Sequence, residues 1–127
     1  MERDLKKRSN KFAHQCVKLA LSLPKGPLEW HVQKQLIRAS TSIAANYRAA
    51  NLGQTKKGFI SKLSIVIEEA DECIFWIEFL EQEEVLKIGT YEEVLAEARE
   101  LTAIFVASRR TAQRSLNKNP EGDNDES

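Results

Sequence analysis

Phe59-Ile60-Ser61-Lys62-Leu63-Ser64-Ile65-Val66-Ile67-Glu68-Glu69-Ala70-Asp71-Glu72-Cys73-Ile74-Phe75-Trp76-Ile77-Glu78-Phe79-Leu80 decides the fold. Phe59, Leu63, Val66, Ala70, Cys73, Ile77 and Leu80 follow one another at steps of four and three, the heptad spacing that lays one apolar stripe along an α-helix. A second line, Ile60, Ile67 and Ile74, runs beside it. With Phe75 and Trp76 these residues offer more apolar surface than one buried helix face requires. All five are candidates for a subunit interface, where aromatic side chains are enriched. The competing expectation is that Phe75 and Trp76 wrap the edge of the protein's own core.

The helical period continues outward on both sides. Before the run, Val32, Leu36, Ala39, Ile43, Tyr47 and Ala50 mark a helix from about Glu29 to Ala50, and Gly53 in Asn51-Leu52-Gly53 is expected to close it in the left-handed conformation. Earlier still, Leu5, Phe12, Cys16, Leu19 or Ala20, and Leu23 mark a helix from about Arg3, halted by Pro24-Lys25-Gly26-Pro27. After the run, Thr90-Tyr91-Glu92-Glu93 has the form of a capping box, and Val94, Ala98, Leu101, Phe105, Ser108 and Ala112 carry a fourth stripe. Four long helices on short connections specify an all-α, antiparallel up-down-up-down four-helix bundle over residues 1–114. Residues 115–127 turn to Asn, Pro, Gly, Asp, Glu and Ser, a composition that buries too little to order itself, so a short disordered acidic tail is expected.

Composition narrows the function. The chain has 127 residues, 42% hydrophobic and 30% charged, which suits one folded domain and neither a disordered nor a membrane protein. No stretch approaches the roughly 18 apolar residues of a membrane span, and no segment has signal-peptide character, so a cytoplasmic protein is expected. Two cysteines cannot build a disulfide framework; Cys16 and Cys73 fall on apolar stripes, where a thiol behaves as a small hydrophobe. A di-iron bundle needs Glu-x-x-His on two helices, and neither His14 nor His31 has a glutamate three residues before it. No Cys-x-x-Cys, glycine-rich phosphate loop or nucleophile motif is present. The expectation is a protein with no catalytic residues, metal, cofactor or small-molecule substrate.

Gln35-Leu36-Ile37-Arg38-Ala39-Ser40-Thr41-Ser42-Ile43-Ala44-Ala45-Asn46-Tyr47-Arg48-Ala49-Ala50, with Glu68-Glu69-Ala70-Asp71-Glu72 and Trp76 after it, resembles a known family. This is the small four-helix-bundle family of intervening sequences in bacterial large-subunit ribosomal RNA genes, which includes the accessory variability determinants of diversity-generating retroelements. The resemblance spans about Leu5 to Ala112. Many members have Ile-Ala-Glu-Gly where this chain has Tyr47-Arg48-Ala49-Ala50, so it resembles the Asn-Tyr-Arg subgroup. The resemblance implies a homopentameric ring without enzymatic activity. For the retroelement relatives it implies binding to a reverse transcriptase and to nucleic acid.

In a hairpin turning near Gln54, residues equidistant from the turn face each other. Arg38 then lies opposite Glu69 and Glu72, and Asn46 lies near Lys62. Arg38, Glu69 and Glu72 are expected to form a partly buried network that sets helix register, with Asn46 and Tyr47 capping or cross-linking helices.

Equal numbers of basic and acidic residues, 19 each, conceal a sorted distribution. Up-down threading sends Arg3, Lys6, Lys7, Arg8 and Lys11, then Arg48, Lys56, Lys57 and Lys62, then Arg109, Arg110, Arg114 and Lys118 to one pole. Glu29, Glu78, Glu81, Glu83, Glu84, Glu92, Glu93 and Glu97 go to the other. Cations near a helix C-terminus oppose its dipole favourably, which accounts for Arg109, Arg110 and Arg114 but not for Lys6, Lys7 and Arg8 at a helix start. All except Lys62 and Lys118 are taken as nucleic-acid-binding candidates. Two readings stand: a non-enzymatic oligomer that binds RNA or a nucleoprotein through the basic pole, or a protein-interaction scaffold with no nucleic-acid binding. Glu121, Asp123, Asp125 and Glu126 in the tail would compete weakly for the cations.

Overall fold

The computed structural model describes residues 2–53 and 55–119, with side chains from Leu5 onward. The helices are α1 (Glu2–Leu21), α2 (Pro27–Leu52), α3 (Lys56–Gln82) and α4 (Glu92–Lys118). Each packs on its chain neighbour, and α4 returns to α1 along a narrower seam. Direction alternates throughout: Arg38 of α2 meets Glu69 and Glu72 of α3, and Glu78 and Ser64 of α3 meet Arg99 and Arg109 of α4. On the closing seam, Gln15 shares a groove with Glu93 and Leu5 shares one with Ile104 and Ser108. The first and last helices therefore run against each other. The bundle is the all-α antiparallel architecture expected.

The apolar stripes form the core. Val32, Leu36, Ala39, Ile43, Tyr47 and Ala50 of α2 are all buried, as are Leu63, Val66, Ala70, Cys73, Ile77 and Leu80 of α3. Phe12, Cys16 and Ala20 of α1 and Ala98, Leu101 and Phe105 of α4 complete the interior. Tyr47 and Phe105 pack with ring centroids 5.5 Å apart, linking α2 to α4 across the diagonal. Tyr47 thus cross-links helices through its ring.

The helix ends differ from expectation in several places. Pro27 begins α2, where its missing amide costs nothing. Thr55 caps α3, its hydroxyl accepting from Gly58 N at 2.9 Å. Gly53 is extended (φ −69°, ψ 158°), not left-handed. The left-handed residue is Glu84 (φ 58°), just past α3, where Val85 N donates to Leu80 O and Glu84 N to Glu81 O in a Schellman arrangement. The capping box does not form. Tyr91 is the cap residue, Thr90 Oγ1 donates to Lys87 O, and the Glu92 carboxylate accepts from Gly89 N at 2.8 Å. Tyr91 Oη donates to Glu81 at 2.7 Å, and this bond, aided by desolvation, pushes the phenol up to about 12. Finally, α4 runs on to Lys118, past the boundary expected at residue 114, because Leu116 is still half-buried against the bundle. The remainder of the acidic tail, residues 120–127, lies outside the described residues.

A left-handed L-residue costs roughly 1 kcal/mol that glycine avoids. Glu84 is exposed, and its charge sits at a helix C-terminus, where an anion is disfavoured. Glu84→Gly is expected to raise stability by about 0.5–1 kcal/mol in urea denaturation, whereas Glu84→Ala should give no comparable gain.

Candidate nucleic-acid interface

Helix alternation brings the α2–α3 turn and the end of α4 to one pole, and the start of α1 lies on that side, opposite the middle of α4. There Lys6, Lys7, Arg48, Lys57, Lys62, Arg110, Arg114 and Lys118 are exposed, while Lys56 and Arg109 are half-buried; Lys11 instead shares a groove with Gln15, Glu93 and Glu97. Arg48 shares a groove with Asn10 and His14 of α1. Lys56 Nζ donates to Ser115 Oγ at 2.7 Å, joining the start of α3 to the end of α4. Arg109 Nη1 donates to Ser64 Oγ at 3.2 Å one step further along. Two grooves open on this side. One of about 580 Å³ runs between Leu5, Phe59 and Ile104; the other, about 410 Å³, lies among Ile60, Ser64, Arg109, Arg110 and Arg114.

Arg8 is a different case. Its guanidinium grips Glu97 with two bonds, Nε to Oε2 at 3.0 Å and Nη2 to Oε1 at 2.7 Å, and Glu100 lies 3.4 Å away. The Glu97 hydrogen bond holds Arg8 above its ordinary pKa, with burial opposing and the charges of Glu97 and Glu100 assisting. Its charge is therefore already balanced within the protein. Glu97, expected at the acidic pole, instead reaches the start of α1. The cause is unequal length: α1 has 20 residues and α4 has 27, so the start of α1 falls opposite the middle of α4. The side chain of Arg3 lies outside the described residues.

Arg38 lies against Glu69 and Glu72, and Trp76 joins them. Arg38 Nη1 donates to both Glu69 oxygens at 3.2 Å, and Nη2 donates to Glu72 Oε2 at 2.5 Å. Trp76 Nε1 donates to the same Glu72 oxygen at 3.1 Å, and its ring meets His31 of α2 edge-on at 5.3 Å. The Glu72-x-x-x-Trp76 spacing, one helical turn, carried that signal. Arg38 hydrogen bonds hold the Glu72 carboxyl below the usual range; burial opposes and the Trp76 bond assists. The Arg38 side chain keeps 49% of its surface exposed, so the network lies at the surface and is less buried than expected. Asn46 takes no part in it. Its amide donates to Ser42 O and Oγ inside α2 and does not cross to Lys62.

Of the interface candidates, Ile67 and Ile74 pack against their own core, and Ile60 lines the arginine groove. Ile60 shares its groove with Val106 and Arg109 of α4, and all three isoleucines are half-buried. Trp76 is half-buried in the network, while Phe75 stays 52% exposed beside it at 4.9 Å. Trp30 (56% exposed) and Ile88 (92%) are further exposed apolar residues at the acidic pole that the periodic stripes did not single out.

Among the described residues, no three His, Cys, Asp or Glu side chains group to hold a metal, and no helix is long and apolar enough to cross a membrane. Cys16 and Cys73 are buried free thiols; a hydrogen bond between them, with burial, pushes Cys73 up.

Comparison with known proteins places relatives beside this geometry. A family model described as 23S rRNA-intervening sequence protein matches residues 1–107. The chain is similar to a crystal structure from Bacteroides thetaiotaomicron VPI-5482, described as a protein with unknown function from the S23 ribosomal protein family. Identity is 31% over 86% of this chain and 97% of that one, with a TM-score of 0.78. No curated protein matches.

Because Glu72 titrates low in the folded state, the Arg38 pair contributes fully above about pH 5 and fades as Glu72 protonates in more acidic solution. Arg38→Ala is expected to cost a few tenths to about 1 kcal/mol near neutrality, given the exposure of the pair. Urea denaturation at pH 7 and pH 3 should show a smaller cost at the lower pH.

Proposed function

The chain belongs to the 23S rRNA-intervening sequence protein family, and we propose that it acts as a non-enzymatic, self-associating bundle that binds RNA or a nucleoprotein through its basic pole. The observation that carries this reading is the convergence of exposed cations from all four helices on one end of the bundle. Such a patch neutralises phosphates and releases their counterions, giving affinity that tolerates sequence and falls steeply with salt. The exposed aromatics Trp30 and Phe75 lie toward the other pole, so base stacking contributes little and the backbone is what is held. Self-association, in a closed ring of five copies, would turn every basic pole the same way and multiply the contact.

The scaffold reading draws on a separate observation, the exposed Trp30, Phe75 and Ile88 among acidic residues at the opposite pole. A gel-shift titration against structured RNA at low and high salt distinguishes the two. The RNA reading expects binding at low salt that weakens at high salt; no binding at either salt would leave only the scaffold. Light scattering at micromolar concentration is expected to give a multiple of the 14.4 kDa chain mass; a monomer would remove the ring.

Glu121, Asp123, Asp125 and Glu126 follow α4 directly at its basic end. Deleting the residues after Lys118 is expected to raise RNA affinity at low salt, and unchanged or weaker binding would exclude the tail as a competitor.

A further inference from the structure

The family match ends at residue 107, but α4 does not. It continues through Ser108-Arg109-Arg110-Thr111-Ala112-Gln113-Arg114-Ser115-Leu116-Asn117-Lys118, about three further turns. The first half of α4 carries Glu92, Glu93, Glu97 and Glu100; this last part has four cations and no acidic residue. The helix changes sign along its length.

Two bonds tie the extension to α3: Arg109 to Ser64 and Lys56 to Ser115. Ala112 and Leu116 are half-buried toward the bundle. Arg110, Arg114 and Lys118 are exposed and lie four residues apart, so they form one row with successive charges about 6 Å apart along the axis. That interval is close to the step between neighbouring phosphates on one strand. The row borders the groove between α3 and α4, in which Arg109 and Ser64 also lie. Cations at a helix C-terminus favour the helix, so the backbone that carries the row is preorganised. The start of α1 is less well equipped, because Glu97 and Glu100 balance Arg8.

We propose that Arg110, Arg114 and Lys118 form a phosphate-tracking row through which this chain grips the backbone of an RNA duplex. The inference rests on the reading of the basic pole as an RNA interface and assigns the grip to an element beyond the family-matched segment. Contact is with backbone and not with bases, since the row and its groove present no aromatic side chain.

The test is fluorescence anisotropy of a labelled 20-base-pair RNA duplex titrated with the full chain across a salt series. Removing three phosphate contacts in R110A/R114A/K118A is expected to flatten the log K against log salt slope by about 2–3. Affinity at low salt should fall on the order of a hundredfold. K7A/K11A/R48A, on the α1–α2 side of the bundle, should flatten the slope and lower affinity less than the row variant does. The charge-preserving R110K/R114K/K118R should retain most of the wild-type slope, which separates lost charge from a damaged helix. If K7A/K11A/R48A flattens the slope and the row variant does not, the row assignment falls while the RNA reading stands. Loss of binding in the charge-preserving variant would overturn the phosphate-tracking account. A wild-type chain that binds no duplex at any salt overturns the RNA reading and this inference together.

Discussion

Every surface feature of this protein takes its place from one constraint: three short connections oblige each helix to run against the one before it. Each helix has an apolar stripe to bury, α3 a second line beside it, and the common core takes up all four helices in that alternation. Charge follows passively. Cations at the start of α1, around the α2–α3 turn and at the end of α4 are distant in the chain and neighbours in the bundle. A parallel arrangement of α1 and α4 would have left the same residues divided between two ends.

Within that frame, the Arg38 network works on register more than on stability. An arginine this exposed gains modest Coulomb energy and loses side-chain entropy. Its value is geometric: Arg38 of α2 bridges two glutamates a turn apart on α3, while the Trp76 indole steadies Glu72 from within α3. On the other side of the molecule, the Arg8–Glu97 pair performs the same service for the α1–α4 seam, where apolar contact is narrower.

How much of this was legible depended on whether the relevant distance was local. The stripe of α3 could be read residue by residue because helical periodicity is a property of the sequence itself. Arg38 facing Glu69 and Glu72 could be read because a short turn pins the two helices to one centre of reflection. The α1–α4 register could not: no turn joins them, their lengths differ, and Glu97 was assigned to the wrong pole. Ends of helices misled for a related reason. Thr90 and Tyr91 compete for one cap, and a one-residue shift decides the outcome; Gly53 was free to turn left-handed, but the chain required that turn at Glu84 instead. The cationic residues of the candidate site were visible as charges, while the neutralisation of Arg8 was visible only in three dimensions.

The two thiols meeting in the interior also make a pair of internal clocks. Cys16 belongs to α1, which closes the bundle along its narrower seam, and Cys73 belongs to α3, which is clasped from both sides. An enclosed thiol is invisible to an alkylating reagent until its surroundings open, so each cysteine times the escape of its own helix. Equal times would mean that the molecule comes apart all at once, and an earlier Cys16 would mean that the first helix peels away while the other three stay together.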